Sequence, residues 1–456
     1  MSGHRRTTAI VGLLLVLVPA LPGARAEIGL SEEREIGARF AREAGRRLPL
    51  VREPRVTTYL RQLGARLAAR LDNEQFAFHF YLLRDSSLNA FAVPGGYIYV
   101  NTGLVVDAGS PAEVASVLAH EVVHVDAHHV VRQQEKTQLL SYATLAGLFL
   151  SAVHPALGAT AASAGVAAQL KYQRQFEQEA DHIGLDLMQR AGFDPEGSPA
   201  FLRKLLRAHG SAPNGLPPYF MSHPLTEDRV AQLEQRVAGM QHPDPDPDAA
   251  VELAAVQAIL RTLTGGRTPA LEHYQKLVET DEAGAYADYL LGLVNLYGER
   301  PDLALPLLAA TVPTVPRARA DHARALARSG DASAARTELE AHLRVFPKDV
   351  AAELDLARLL ADDGEHAAAV PRLKRVLAHD ADLDDAEYAL AECLGEAGDA
   401  YGQWWHLGRA YELRGDIPRA VNAYEHARGL APDESAEHAQ AVRALAALRG
   451  TFGDLW

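Results

Sequence analysis

The sequence predicts a mainly α-helical chain in two parts, an α+β domain with a small sheet followed by an α-solenoid. Three observations carry this. Two aromatic and β-branched runs, 76–83 and 97–100, suit strands. Apolar residues around them, such as Ile36, Phe40 and Ala44, recur at helical spacing. Further on, Gly330, Gly364 and Gly398 stand 34 residues apart, a period that belongs to stacked helical pairs. A length of 456 residues suits two or three domains, and 48% hydrophobic residues supply a sizeable core. The formal charge of -14 argues against a nucleic-acid partner, which selects for a basic face.

The N-terminus has the three parts of a secretory signal peptide over 1–26. Arg5 and Arg6 are basic, Ala9 to Leu21 is apolar, and Ala24-Arg25-Ala26 offers small residues for cleavage. The apolar run is short for a membrane span, which takes ~20 residues. The single cysteine, Cys393, cannot form an internal disulfide, so the exported chain relies on packing and on a metal.

A first domain is expected over 27–240. Residues 27–75 read as helical. The strand at 76–83 follows, then Phe91-Ala92-Val93, the turn Pro94-Gly95-Gly96, and a strand over Tyr97, Ile98, Tyr99 and Val100. Ser110-Pro111-Ala112-Glu113 opens a helix with a capping box, expected to run to about Gln134. The apolar stretch 139–170, broken at His154-Pro155, reads as a helical hairpin, either buried or in peripheral contact with a membrane. Another helix spans about 172–191 and stops at Gly192. Residues 241–250 open with QHPDPDPD, a solvated linker whose alternating prolines cannot continue a helix.

Over 251–450 the 34-residue period returns. The clearest unit is Trp404, Leu407, Gly408 and Tyr411, then Gly415, Ala420, Tyr424, Ala427 and Pro432, which resembles the tetratricopeptide signature. Gly398 and Gly415 are only 17 apart, so one half-repeat is missing or shared there. A last helix from Ser435 closes the array. Such arrays bind proteins.

The chemistry centres on His120-Glu121-Val122-Val123-His124. Residues four apart share a helix face, so both imidazoles can reach one Zn²⁺ while Glu121 addresses a water beside it. Catalytic zinc takes three protein ligands and keeps one position open. His128 is excluded as the third, because eight residues of helix put it about 12 Å from His120. Glu177 and Asp181, in Phe176-Glu177-Gln178-Glu179-Ala180-Asp181, share a face of the later helix. Glu177 can bind the metal while Asp181 takes a hydrogen bond from a ligand histidine and fixes its tautomer. Glu179 reads as a solvated surface carboxylate.

HEVVH followed by E-x-x-A-D, with Asn89 to Val100 ahead of it, resembles the zinc peptidases of the CaaX prenyl protease and HtpX type. With tetratricopeptide repeats attached, the chain resembles the family of periplasmic beta-barrel assembly-enhancing proteases. The resemblance covers about 30–240 and 250–450. It implies one zinc per chain, His120, His124 and Glu177 as ligands, and Glu121 as general base. It further implies a Gram-negative periplasm, clients among misassembled envelope and outer-membrane proteins, and repeats that contact clients or the outer-membrane assembly machinery. A chaperone or assembly factor in which cutting is secondary is the alternative. Two local readings stay open. Tyr97 to Val100 is either an exposed edge that pairs with a substrate strand or a core strand. His223, in Ser222-His223-Pro224, stands where relatives carry His-Pro; it is either a regulatory fourth ligand that keeps the enzyme latent or a surface histidine.

Overall fold

The computed structural model of the chain describes residues 28–73, 75–132, 166–210, 223–224, 226–279 and 286–452. The expected signal peptide over 1–26, and the hairpin expected over 139–170 as far as residue 165, lie outside them. No helix among the described residues is long and apolar enough to cross a membrane.

The first domain opens with helix α1 (Leu30–Arg47), strand β1 (Leu50–Val51) and helix α2 (Pro54–Ala68). The sequence suggested an unbroken helical stretch here. Leu50 and Val51 instead pair with Leu83 and Leu82, and Pro54, which needs no amide partner, starts α2 afresh. Strands β2 (His79–Leu83), β3 (Ala90–Val93) and β4 (Tyr97–Asn101) complete a four-stranded sheet of order β1-β2-β4-β3. β2 runs parallel to β4, and β3 is antiparallel to it. One face of the sheet packs Phe91, Tyr99 and Leu83 against Phe40 and Ala44 of α1. The approach of α1 is close: a Cβ on Gly37 would lie 2.1 Å from the Pro94 carbonyl.

The other face carries the short helix α3 (Thr102–Asp107) and the central helix α4 (Pro111–Asp126), which is buried from Glu113 to Val125. Ser110 caps α4 by accepting from the Glu113 amide at 3.2 Å. The Glu113 carboxylate reaches back to the Gly109 amide and pairs with Lys204. α4 stops at Asp126, short of the Gln134 expected from the sequence. His128 takes a left-handed backbone (φ 55°), and its ring is held by Glu33 and Gln75, each at 2.8 Å. Helices α5 (Val166–Arg190) and α6 (Gly197–Gly210) pack on α4, and α7 (Glu227–Val237) packs on α5 and α6.

Residues 241–246 are exposed and irregular. The Pro/Asp segment ends sooner than its composition suggested. Asp246 caps the amides of Asp248 and Ala249, and Pro247 occupies the first turn of α8 (Pro247–Gly265). α8 pairs with α9 (Arg267–Glu279), α10 (Ala287–Tyr297) with α11 (Pro301–Thr311), α12 (Ala318–Arg328) with α13 (Ala332–Val345), and α14 (Val350–Asp362) with α15 (His366–His379). α16 (Asp384–Glu396), α17 (Ala400–Arg414), α18 (Ile417–Leu430) and α19 (Ala436–Phe452) finish the array. α17 packs against both α16 and α18, which explains the two glycines 17 residues apart: one helix is shared between two pairs. Gly330, Gly364, Gly398 and Gly415 all have φ between 72° and 90°, the left-handed turn that lets each following helix fold back.

The array packs back against α1, α2 and β2 of the first domain. Arg55 of α2 pairs with Glu252 of α8, and Arg61 makes two bonds of 2.8 and 2.7 Å to Asp380. His79 and Tyr81 of β2 both reach Asp382. The far end returns to α1, where Arg42 donates to Thr451 and Arg39 to the Gly450 carbonyl. One apolar core runs from the sheet and α4 through α8 and α10 to Ala325, so the two parts share their interior.

Candidate active site

α4 holds His120 and His124 one turn apart, and their Nε2 atoms lie 3.0 Å from each other. α5 brings Glu177 to both, at 3.4 Å from His120 Nε2 and 3.5 Å from His124 Nε2. α5 can approach because Gly184 faces the backbone of His120 with no side chain between. The chain then places His223 over the same point, with Nδ1 3.0 Å from Glu177 and 3.3 Å from His120 Nε2. One donor atom from each of His120, His124, Glu177 and His223 lies within 4.8 Å of the others, and all four residues are buried. Glu121 stands beside them, 3.4 Å from His223 Nε2. Its Oε1 is buried and, among the described residues, accepts no hydrogen bond.

The residues behind this cluster fix it. His120 Nδ1 meets Asp181 at 3.1 Å, the contact the four-residue spacing with Glu177 anticipated. Arg229 of α7 grips Asp181 with two bonds of 2.8 Å, approaches Glu177 at 2.9 Å, and donates to the Pro224 carbonyl next to His223. Sequence reading missed Arg229, since only the return of α7 onto α5 brings it here. Its pattern, a basic residue six positions after His223, gave no local cue. Glu179 is not simply solvated; Arg132 and His129 both engage it.

Burial lowers the His120 imidazole's affinity for protons, but the bonds to Asp181 and Glu177 outweigh it and raise its pKa to about 10. Burial dominates at His124, whose pKa falls well below the ordinary value. Glu177 resists burial because His223 and His120 hold its carboxylate, leaving its pKa well below normal. Glu121 shows the opposite balance, with burial raising it. One carboxylate is thus kept ionised and the other made a better proton acceptor.

The edge reading of Tyr97, Ile98, Tyr99 and Val100 is corrected. β4 lies between β2 and β3 and spends its backbone groups on both, so it offers no edge to a peptide. Among the described residues the strand that pairs on one side alone, on the active-site side of the sheet, is β3. A small gap lies there, lined by Ala92, Val93, Pro94, His124, Val125 and His128.

Two imidazoles and a carboxylate converging on one buried point, with a fourth donor and an unpartnered carboxylate oxygen beside them, fit a divalent metal ion. Helix-borne His-Glu-x-x-His completed by a glutamate from a second helix defines the class: a metallopeptidase site. Residues 54–237 match the family profile described as Peptidase family M48. The chain is 31% identical over 303 residues to the beta-barrel assembly-enhancing protease of Escherichia coli (strain K12), covering 63% of this chain and 61% of that protein. It is 36% identical over 168 residues to the mitochondrial metalloendopeptidase OMA1 of Arabidopsis thaliana, 37% of this chain and 33% of that one. Among solved structures it is similar to YrrB, a TPR protein with an unusual peptide-binding site, with a TM-score of 0.30, 19% identity, and coverage of 38% of this chain and 91% of that chain. The chain therefore spans about 61% of the length of the curated assembly-enhancing relative.

Proposed function

We propose that the chain is a zinc-dependent endopeptidase of the periplasm that degrades misassembled envelope and outer-membrane proteins, with clients held by the repeats. The observation that carries the reading is the convergence of His120, His124 and Glu177 beside Glu121, all buried. The beta-barrel assembly-enhancing name of the relative motivates the client class. Two nitrogens and a carboxylate at this spacing suit zinc, and His120, His124 and Glu177 would hold it. When bound, zinc supplies Lewis acidity and makes water a better nucleophile.

The chain's own residues do the rest. Glu121, with its raised pKa, takes the proton of the attacking water at Oε1 and returns it to the leaving amine. Asp181, itself gripped by Arg229, accepts from His120 Nδ1 and so leaves Nε2 free as a donor toward the metal. A client segment lies antiparallel along the free edge of β3, where main-chain bonds tolerate many sequences. His223 occupies the point where the fourth ligand would stand, and serves as the latch that keeps the resting enzyme latent.

Glu121→Gln tests this. Casein cleavage by the wild type should be lost with a chelator and restored by zinc, while Glu121→Gln binds equimolar zinc and cleaves nothing. Cleavage unaffected by the chelator would refute the reading. A variant that cleaves nothing but fully supports outer-membrane assembly would assign the main role to binding.

A further inference from the structure

The two histidines of the motif are buttressed differently. His120 leans on the carboxylate of Asp181 directly. His124 leans on another imidazole: its Nδ1 lies 3.0 Å from His129 Nδ1. We infer that His129 is a positioning residue for the metal centre, acting through His124; this rests on the metal-site reading above.

The proton bookkeeping follows from the geometry. To present a lone pair at Nε2 toward Glu177 and His120, neutral His124 must carry its hydrogen on Nδ1. Among the described residues that hydrogen meets the Nδ1 of His129, which must accept and therefore carries its own hydrogen on Nε2. There it faces Glu179 at 3.3 Å, an ion-pair distance at an angle short of a hydrogen bond. Arg132 holds Glu179 from the other side at 3.3 and 3.4 Å. His124 and His129 each present one hydrogen down the chain, and the chain ends at the Glu179 carboxylate, which faces His129 and accepts from Arg132.

The backbone is shaped for this contact. In a continuous helix, residues five apart point about 140° away from each other, so His129 would face away from His124. The left-handed turn at His128, pinned by Glu33 and Gln75, swings the chain back. His129 then stacks on Phe176, 4.6 Å between centroids at 24°, immediately before Glu177. It is 2% exposed, so its position admits no drift. One aromatic residue thereby fixes the second histidine ligand relative to the helix that carries the third ligand.

His129→Phe keeps the stacking and removes the acceptor; His129→Asn restores an acceptor near Nδ1. Zinc affinity of the full chain, read by competition with a chromophoric chelator, is the measurement, with circular dichroism of the metal-free proteins as the check on folding. Wild type and His129→Asn should bind alike within a few-fold, while His129→Phe should bind about 10- to 100-fold more weakly with an unchanged metal-free spectrum. A cobalt-substituted His129→Phe should also show a shifted d–d absorption, which loss of packing alone would not produce. Equal zinc affinity in His129→Phe and wild type overturns the inference, as does His129→Asn binding as weakly as His129→Phe. A wild type that binds no zinc overturns the metal-site reading and this inference with it. If His129→Phe fails to fold, Glu179→Ala decides: unchanged zinc affinity there overturns the relay.

Discussion

Replacing Arg229 with Met isolates what the two carboxylates behind the site require. Arg229 is 5% exposed on its side chain, and it meets Asp181 at 2.8 Å and Glu177 at 2.9 Å, both nearly buried. At an effective dielectric near ~20, each such contact is worth roughly 5 kcal/mol gross, most of it offset by desolvation. What Met leaves behind is two buried carboxylates without their cation. Breaking a buried pair from one side costs about 3–5 kcal/mol. For a cooperative unit of the first domain's size, each kcal/mol moves Tm by ~2–4 °C, so the metal-free variant should melt about 6–20 °C below wild type. The loss should be smaller with zinc bound, because the ion compensates Glu177. Differential scanning calorimetry of wild type and Arg229→Met, with and without zinc, reads both. A metal-free difference under ~2 °C, or one that grows on adding zinc, would refute the assignment of Arg229 as the shared counter-ion.

Further outcomes test other parts of the structure. His223→Ala should raise casein cleavage several-fold at equal zinc content; equal or lower cleavage removes the latch. Asp382 is buried, but the bond from His79 and the charges of Arg61 and Arg409 outweigh burial and depress its pKa. Its contribution is therefore complete above the unfolded value near ~4 and is lost as pH falls below it, so Asp382→Asn should lower Tm at pH 7 more than at pH 3. An equal loss at both pH values would count against this. Gly64→Ala would place a Cβ 2.3 Å from the buried Phe80 ring. Overpacking of ~1–3 kcal/mol should exceed the ~1 kcal/mol that alanine returns as a helix former. A variant as stable in urea as the wild type would refute the tight contact.

Much of the site was legible because it rests on short-range geometry. A four-residue spacing places His120 with His124, and Glu177 with Asp181, on one helix face each, whatever the fold does elsewhere. The 34-residue glycines were legible for the same reason, each marking one local turn. What depends on distant partners was not. Whether Tyr97 to Val100 is an edge or an interior strand is set by strand order, and the alternation of its side chains is the same in both cases. The end of α4 was misjudged because Glu33 and Gln75, 95 and 53 residues earlier, decide the backbone of His128. Arg229 and His129 acquire their roles only when helices far apart in sequence meet.

The interior shared across 241–246 has a practical outcome for anyone handling this molecule. Were a protease site engineered into that exposed stretch, a nick there would not liberate two independent fragments. α8 would stay seated against α2 and α4, with Arg55 still bound to Glu252, so the clipped halves should co-elute on gel filtration and part only in denaturant.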